Sequence, residues 1–174
     1  RISEAAIRVI ATSQAHDIDH FEEALGRKLG SADMDCDNWA ITEMGRQVTG
    51  PQYLAALAAL HEWSRRMATF WTGGFDLLVT PTIPTPPPRL GEQTPDPAAP
   101  LSAWATAGAM VAFTVPFNVT GQPAMSLPLH WNDAGLPIGV QLVAAFGRED
   151  VLLRVGAELE AAVRWTERRP PVCA

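Results

Sequence analysis

The sequence predicts an α/β fold in which strands belong to a mixed β-sheet covered by helices, with the sheet incomplete in this chain. Three observations lead there. Two strand-like apolar runs, residues 123–130 and 137–144, flank Asn132-Asp133-Ala134-Gly135, a polar segment able to reverse the chain. Most of the chain ahead of them, and the segment behind them, carries helical spacing. Finally, the runs are almost continuously apolar, the pattern of strands buried on both faces. One hairpin and one further strand cannot cover such surfaces, so the chain reads as part of a larger sheet.

The elements follow in order. From Ser3 to about Leu29, Ile7, Ile10, Ile18, Phe21 and Leu25 recur at mixed three- and four-residue spacings, with Gly26 and Gly30 at the fading end. A second helix is expected over residues 38–48. Thr49-Gly50-Pro51 reads as a cap followed by proline at the first helical position, opening a long helix to about Trp71. Leu54, Leu57, Leu60, Met67 and Phe70 give it an apolar side, and Arg65 and Arg66 suit its C-terminal dipole. Gly73-Gly74 ends it, and residues 75–80 (FDLLVT) form a short strand. Residues 81–100 carry eight prolines, which lack the amide donor a central strand needs, so this is an extended connector. Proline-binding modules recognise such tracts, but a surface connector accounts for it more simply. A short Ala-rich helix is expected over residues 101–111, and a loop over residues 116–122, ahead of the first apolar run. A closing helix runs from Arg148 to about Trp165, with acidic residues in its first turn and Arg164, Arg168 and Arg169 at its end. In domain terms, residues 1–72 are a helical segment, 73–112 a strand, connector and short helix, and 113–174 a strand–loop–strand with the closing helix, all within one partial domain.

Composition narrows the partners. With 47% hydrophobic and 18% charged residues the chain is neither disordered nor a membrane protein, and no apolar run approaches the roughly 20 residues that span a bilayer. A net charge of −6 without a Lys/Arg block argues against nucleic acid and anionic membranes. No secretory layout opens the sequence, and Cys36 and Cys173 are too few for a disulfide framework, which fits a cytoplasmic setting. The chain begins at Arg1 inside helix-like sequence, so a fragment or processed chain is expected. Self-association as a homodimer is one way to cover an incomplete sheet.

Candidate chemistry is sparse. His16 and His20 share the four-residue spacing of helical metal ligands, but no glutamate base follows the first and no third ligand is near. A polar helix turn accounts for them, and no metal or cofactor is expected. Ser3, Ser13, Ser31, Ser64, Ser102 and Ser126 all lie outside any G-x-S-x-G elbow, and Ser126 falls within a strand, where packing is its expected role. Asp35 and Asp37 discourage a thiolate at Cys36 between them. Lys28, the only lysine, stands at a charged helix end and is expected to be solvated. The segment around residues 116–122 is a better candidate for binding: Thr114, Phe117, Asn118 and Gln122 combine apolar surface with hydrogen-bonding groups beside strand ends.

Three blocks in this order, residues 75–82 (FDLLVTPT), 113–124 (FTVPFNVTGQPA) and 135–143 (GLPIGVQLV), together with the helix from Glu149, resemble the C-terminal third of the amidase signature family. The preceding helical part, including Ala15-His16-Asp17 and Thr49-Gly50-Pro51-Gln52-Tyr53, is similar, less specifically, to members acting on small or linear amides, the cyclic-nylon-dimer hydrolases among them. The resemblance implies a carboxamide hydrolase using a Ser–Ser–Lys mechanism with a glycine-rich oxyanion loop. No Gly-Ser-Ser-Gly-Gly-type run occurs and Lys28 stands in the wrong context, so no catalytic residue transfers to this chain. The resemblance implies that Thr114, Phe117 and Gly121 line the acyl side of a substrate cavity, and that Asn118 helps hold the loop. The implied partners are a small-molecule amide and the N-terminal part of the same enzyme. Two other readings stand beside this one: an amidotransferase subunit of the same fold, and a non-catalytic binding or scaffold domain.

Overall fold

The computed structural model describes residues 2–169; Arg1 and Cys173, on which the fragment and disulfide readings drew, lie outside them. The chain divides into two compact units, Arg1–Arg65 with Pro88–Ala109, and Arg66–Pro87 with Met110–Ala174.

The first unit is built on two helices, α1 (Ile2–Leu25) and α2 (Cys36–Arg46). Ala11, Ala15, Ile41 and Thr42 are buried, and the helices meet where Gly45 presses on α1. A Cβ at Gly45 would stand 1.9 Å from the Ala11 carbonyl oxygen, so only glycine permits this approach. Gln14 reinforces the crossing by donating to the Asn38 carbonyl at 2.8 Å and to Thr42 Oγ1 at 3.0 Å. α1 stops at Leu25 instead of continuing to Leu29. Gly26 takes φ +66°, and the buried Glu22 carboxylate accepts the Leu29 amide at 3.0 Å, turning the chain back. Glu22 also accepts from Lys28 Nζ at 2.5 Å and Arg46 Nη2 at 3.1 Å. Lys28 is thus exposed, as expected, but ion-paired as well.

The third helix, α3 (Gly50–Trp71), opens with a reciprocal cap: the Thr49 amide donates to Gln52 Oε1 at 2.9 Å and the Gln52 amide to Thr49 Oγ1 at 3.4 Å. Gly50 is therefore its first residue and Pro51 its second, one place later in the helix than the sequence pattern indicates. The short α4 (Ser102–Met110) follows the proline-rich segment.

The second unit holds a three-stranded sheet of β1 (Leu78–Pro81), β2 (Ala124–Trp131) and β3 (Pro137–Val143), in the order β1-β3-β2 with both pairs antiparallel. β1 begins three residues later than expected because Phe75 stacks on Phe70, centroids 4.8 Å apart, and stays outside the sheet. It ends on Pro81 at a sheet edge, where a missing donor is tolerated. A bulge between Pro128 and His130 shifts the β2 register at the strand's own proline. The turn forms as the sequence indicated: Asn132 Oδ1 accepts the Leu136 amide at 2.9 Å and Gly135 takes φ +77°.

The loop expected over residues 116–122 is instead a helix, α5 (Val115–Thr120). Pro116 lies in its first turn, and Gly121 closes it at φ +68° with its amide on the Phe117 carbonyl. Six residues are too few to show helical spacing, and Val115, Val119 and Thr120 are β-branched, which concealed it.

The last helix, α6 (Glu149–Val163), covers one face of the sheet. Leu127, Leu142, Ala144, Val151 and Leu152 form the buried cluster, with Met125, Leu129, Val155, Leu159 and Trp165 packed around it. Strand parity explains the set: Met125 pairs with Leu142 in the register, and both point toward α6. Gly156 brings the helix close, since a Cβ there would lie 2.8 Å from Met125 Sδ. α6 ends at Arg164, which takes φ +53°. Beyond it Arg168 sits over the Trp131 ring at 4.0 Å.

Candidate functional site

The opposite side of the same strands carries the candidate site. By register Thr80, Gln141 and Ser126 stand directly across from one another on β1, β3 and β2, giving a polar row across a largely apolar sheet. Gln141 is 3% exposed. Its Nε2 donates to Thr80 Oγ1 at 2.9 Å and to the Phe113 carbonyl at 2.8 Å. A carbonyl can only accept, so the nitrogen end of the amide must face Phe113. Beside this row Thr82 Oγ1 and Ser126 Oγ lie 2.6 Å apart, bridging over Gly139. A Cβ at Gly139 would stand 2.7 Å and 2.8 Å from those two oxygens, so the bridge depends on the bare backbone of the central strand. Ser126 is an exposed, hydrogen-bonded hydroxyl, not the packing residue the sequence suggested.

The row is tied through the Phe113 carbonyl to the start of α5, which with its flanking residues carries the four residues singled out for substrate contact. Thr114 is half-buried at the helix start, donating through Oγ1 to the Val111 carbonyl at 3.2 Å. Its own carbonyl accepts the first helical amides, those of Phe117 and Asn118. Phe117 is buried, 7% exposed, while Asn118 faces solvent. Gly121 is exposed, and a Cβ there would reach Phe146 Cε2 at 3.5 Å, an ordinary contact. Its positive φ, more than lack of space, calls for glycine. Gln122 is buried, and its Oε1 accepts from Thr120 Oγ1 at 3.0 Å. Thr114, Phe117, Asn118 and Gly121 thus share one short helix and its cap.

Gln141 and the Thr82–Ser126 bridge were missed by sequence reasoning. The available signal was a single amide in the run PIGVQLVA, and a lone hydroxyl in each of the other strands. His16 is exposed and His20 Nδ1 lies 3.9 Å from Glu23 Oε2. Among the described residues no group of three or more His, Cys, Asp or Glu could hold a metal ion, and no helix is long and apolar enough to cross a membrane.

Helices packed on a sheet whose surfaces call for further cover define a partial α/β fold, and comparison with known proteins says which. The amidase family model matches residues 6–153. The 6-aminohexanoate-cyclic-dimer hydrolase of Pseudomonas sp. (strain NK87) is 42% identical over 161 residues, 90% of this chain and 33% of that protein. A glutamyl-tRNA(Gln) amidotransferase subunit of Gloeothece citriformis (strain PCC 7424) is 41% identical over 97 residues, 56% of this chain and 19% of that one. A solved structure of 6-aminohexanoate cyclic dimer hydrolase complexed with substrate superposes with a TM-score of 0.87 at 38% identity, covering 95% of this chain and 36% of that one. The chain belongs to the amidase signature family. It spans about a third of the length of the curated hydrolase relatives it matches.

Proposed function

We propose that this chain is the C-terminal portion of an amidase, contributing one wall of the substrate cavity to an enzyme whose Ser–Ser–Lys machinery lies in polypeptide outside these 174 residues. The carrying observation is the family match across residues 6–153 combined with coverage of only a third of the hydrolase relatives. The sequence supports it by lacking a glycine- and serine-rich run and by using its only lysine in an ion pair with Glu22. In this reading the segments 1–72, 73–112 and 113–174 belong to one partial amidase domain, and the chain alone hydrolyses no amide. The substrate is a small carboxamide, linear or cyclic, in keeping with the 42% identity to a cyclic-dimer hydrolase.

Within that wall Thr114, Phe117 and Gly121 face the acyl side of the substrate, and Asn118 helps hold the segment. Phe117 is a buried apolar ring that backs the wall at the start of the helix, and Gly121 carries no side chain beside Phe146 at its end. Replacing Phe117 with Ala in the full polypeptide is expected to change relative kcat/KM between short- and long-chain acyl amides, because a cavity opens where the ring packs. Burying one methylene is worth about 0.8 kcal/mol, so selectivity is expected to move roughly fourfold per methylene that gains or loses contact. Unchanged ratios across the series overturn the assignment.

A second reading, an amidotransferase component of the same fold, draws on the 41% identity over 97 residues to the glutamyl-tRNA(Gln) amidotransferase chain. The longer match to the hydrolase and the net charge of −6 favour the hydrolase.

A further inference from the structure

Gln141 stands out among the groups that the proposed function leaves unused. It is a buried amide in the middle strand of the sheet, and its Nε2 donates to two groups outside its own strand. One is Thr80 on β1, whose hydroxyl passes the link on to the Pro81 carbonyl at 3.0 Å. The other is the carbonyl of Phe113, the residue immediately before Thr114.

A second tie lies at the far end of α5. The Ala144 amide, just past β3, donates to the Pro123 carbonyl at 3.1 Å, directly after the capping Gly121 and the buried Gln122. The two ties stand three residues apart along β3, roughly 10 Å at strand spacing. A helix the length of α5 is about 9 Å long. α5 is therefore held at both ends from one extended strand, by a side chain at its start and by backbone at its end. Burial gives the side-chain tie its weight. Without Gln141 the half-buried Phe113 carbonyl loses a partner, and a polar group left unsatisfied away from water is costly.

We propose that Gln141 is a positioning residue of the amidase: it fixes the start of α5, and through it sets where Thr114 and Phe117 stand along the substrate cavity. This rests on the reading of α5 as a cavity wall. Gln141 itself is assigned no contact with substrate. Its second bond, to Thr80, holds the sheet and not α5, which gives the proposal a built-in control.

The test uses the full polypeptide containing this chain. Gln141→Met keeps length and volume but removes both N–H donors, and Gln141→Leu removes them with a shorter, branched side chain. Thr80→Val removes the bond to β1 together with the Thr80 hydroxyl's own bond to the Pro81 carbonyl, while leaving the Phe113 bond in place. Hydrogen exchange is read over residues 113–122 and, separately, over β2 and β3. Both Gln141 variants are expected to speed exchange in 113–122 roughly five- to twentyfold while the sheet stays within about twofold of wild type. Thr80→Val should leave 113–122 near wild type. Unchanged exchange in 113–122, or exchange that rises equally in the sheet and for Thr80→Val, overturns the proposal. The leucine variant decides the matter if the methionine variant fails to fold.

Kinetics separate this inference from the reading beneath it. Gln141→Met should raise KM more than it lowers kcat and shift acyl-chain selectivity in the direction of Phe117→Ala. If α5 loosens but neither variant moves selectivity, the cavity-wall reading fails and the hold of Gln141 on α5 stands. If Phe117→Ala moves selectivity and Gln141→Met leaves α5 exchange unchanged, the wall stands and the role given to Gln141 fails.

Discussion

Gly45→Ala is the sharpest perturbation of the helical unit. A methyl at this position would meet the Ala11 carbonyl oxygen at 1.9 Å, its carbon at 2.4 Å and the Ala15 methyl at 3.0 Å. Real contacts of this kind do not fall below 3.0 Å, so α1 and α2 must part by at least 1.1 Å. The obstacle is backbone, and no rotamer change relieves it. Parting the helices loosens Ala11, Ala15, Ile41 and Thr42, all buried, and stretches the bonds from Gln14 to Asn38 and Thr42. Overpacking alone costs typically about 1–3 kcal/mol, and the strained hydrogen bonds bring the expected loss to about 3–4 kcal/mol. At about 1.4 kcal/mol per tenfold this is a two- to three-decade acceleration of hydrogen exchange over residues 5–20 and 38–47 of the full polypeptide, where local opening governs exchange. Gly108→Ala in α4 is the matched control: a Cβ there meets nothing within 4 Å, and alanine is expected to stabilise the helix by about 0.5–1 kcal/mol. Exchange in Gly45→Ala within about threefold of wild type would refute the packing argument.

Three further outcomes follow from named groups. Hydrogen bonds from Lys28, then from the Leu29 amide and Arg46, lower the Glu22 carboxylate from its ordinary 4.5 to about 2. Between those values the unfolded chain binds the extra proton, so stability from this cluster is complete above the ordinary value and fades as pH falls toward about 2. The advantage of wild type over Glu22→Gln should therefore shrink from about pH 5 to about pH 2 in denaturation profiles, and parallel profiles would contradict it. Gly121→Ala should cost about 1 kcal/mol through its positive φ alone, with Gly121→Asn milder, since the contact to Phe146 at 3.5 Å is not a clash; equal melting temperatures for all three would remove the strain argument. Gly139→Ala should break the Thr82–Ser126 bridge, and Ser126→Ala placed on top of it should then add little; additive losses in a double-mutant cycle would show that the two sites are independent.

Much of the fold was legible because local signals and tertiary structure agreed. The runs that became β2 and β3 announced themselves by apolar length, and the turn between them by Asn132 and Gly135, whose side-chain acceptor and positive φ are local properties. Boundaries shifted where a side chain a few residues away captured a group that the spacing pattern had assigned to the element. Glu22 takes the Leu29 amide and ends α1 early, and Phe70 draws Phe75 out of β1. α5 escaped notice because it is short and β-branched, held by ties to β3 and not by its own propensity. The candidate wall residues were named from family resemblance, while Gln141 became visible only through its register between Thr80 and Ser126. A glutamine within an apolar run reads as an exception until its neighbours across the sheet are known.

The central claim is that this chain shapes a carboxamide-hydrolysing site whose nucleophile lies in polypeptide beyond it. Its most direct test sets the pure 174-residue chain beside the full polypeptide, measuring ammonia or amine release from small linear and cyclic amides together with labelling by a serine-reactive fluorophosphonate. Turnover and labelling are expected in the full polypeptide, and neither in the 174-residue chain. Turnover by the chain alone, abolished by the fluorophosphonate, would contradict the claim.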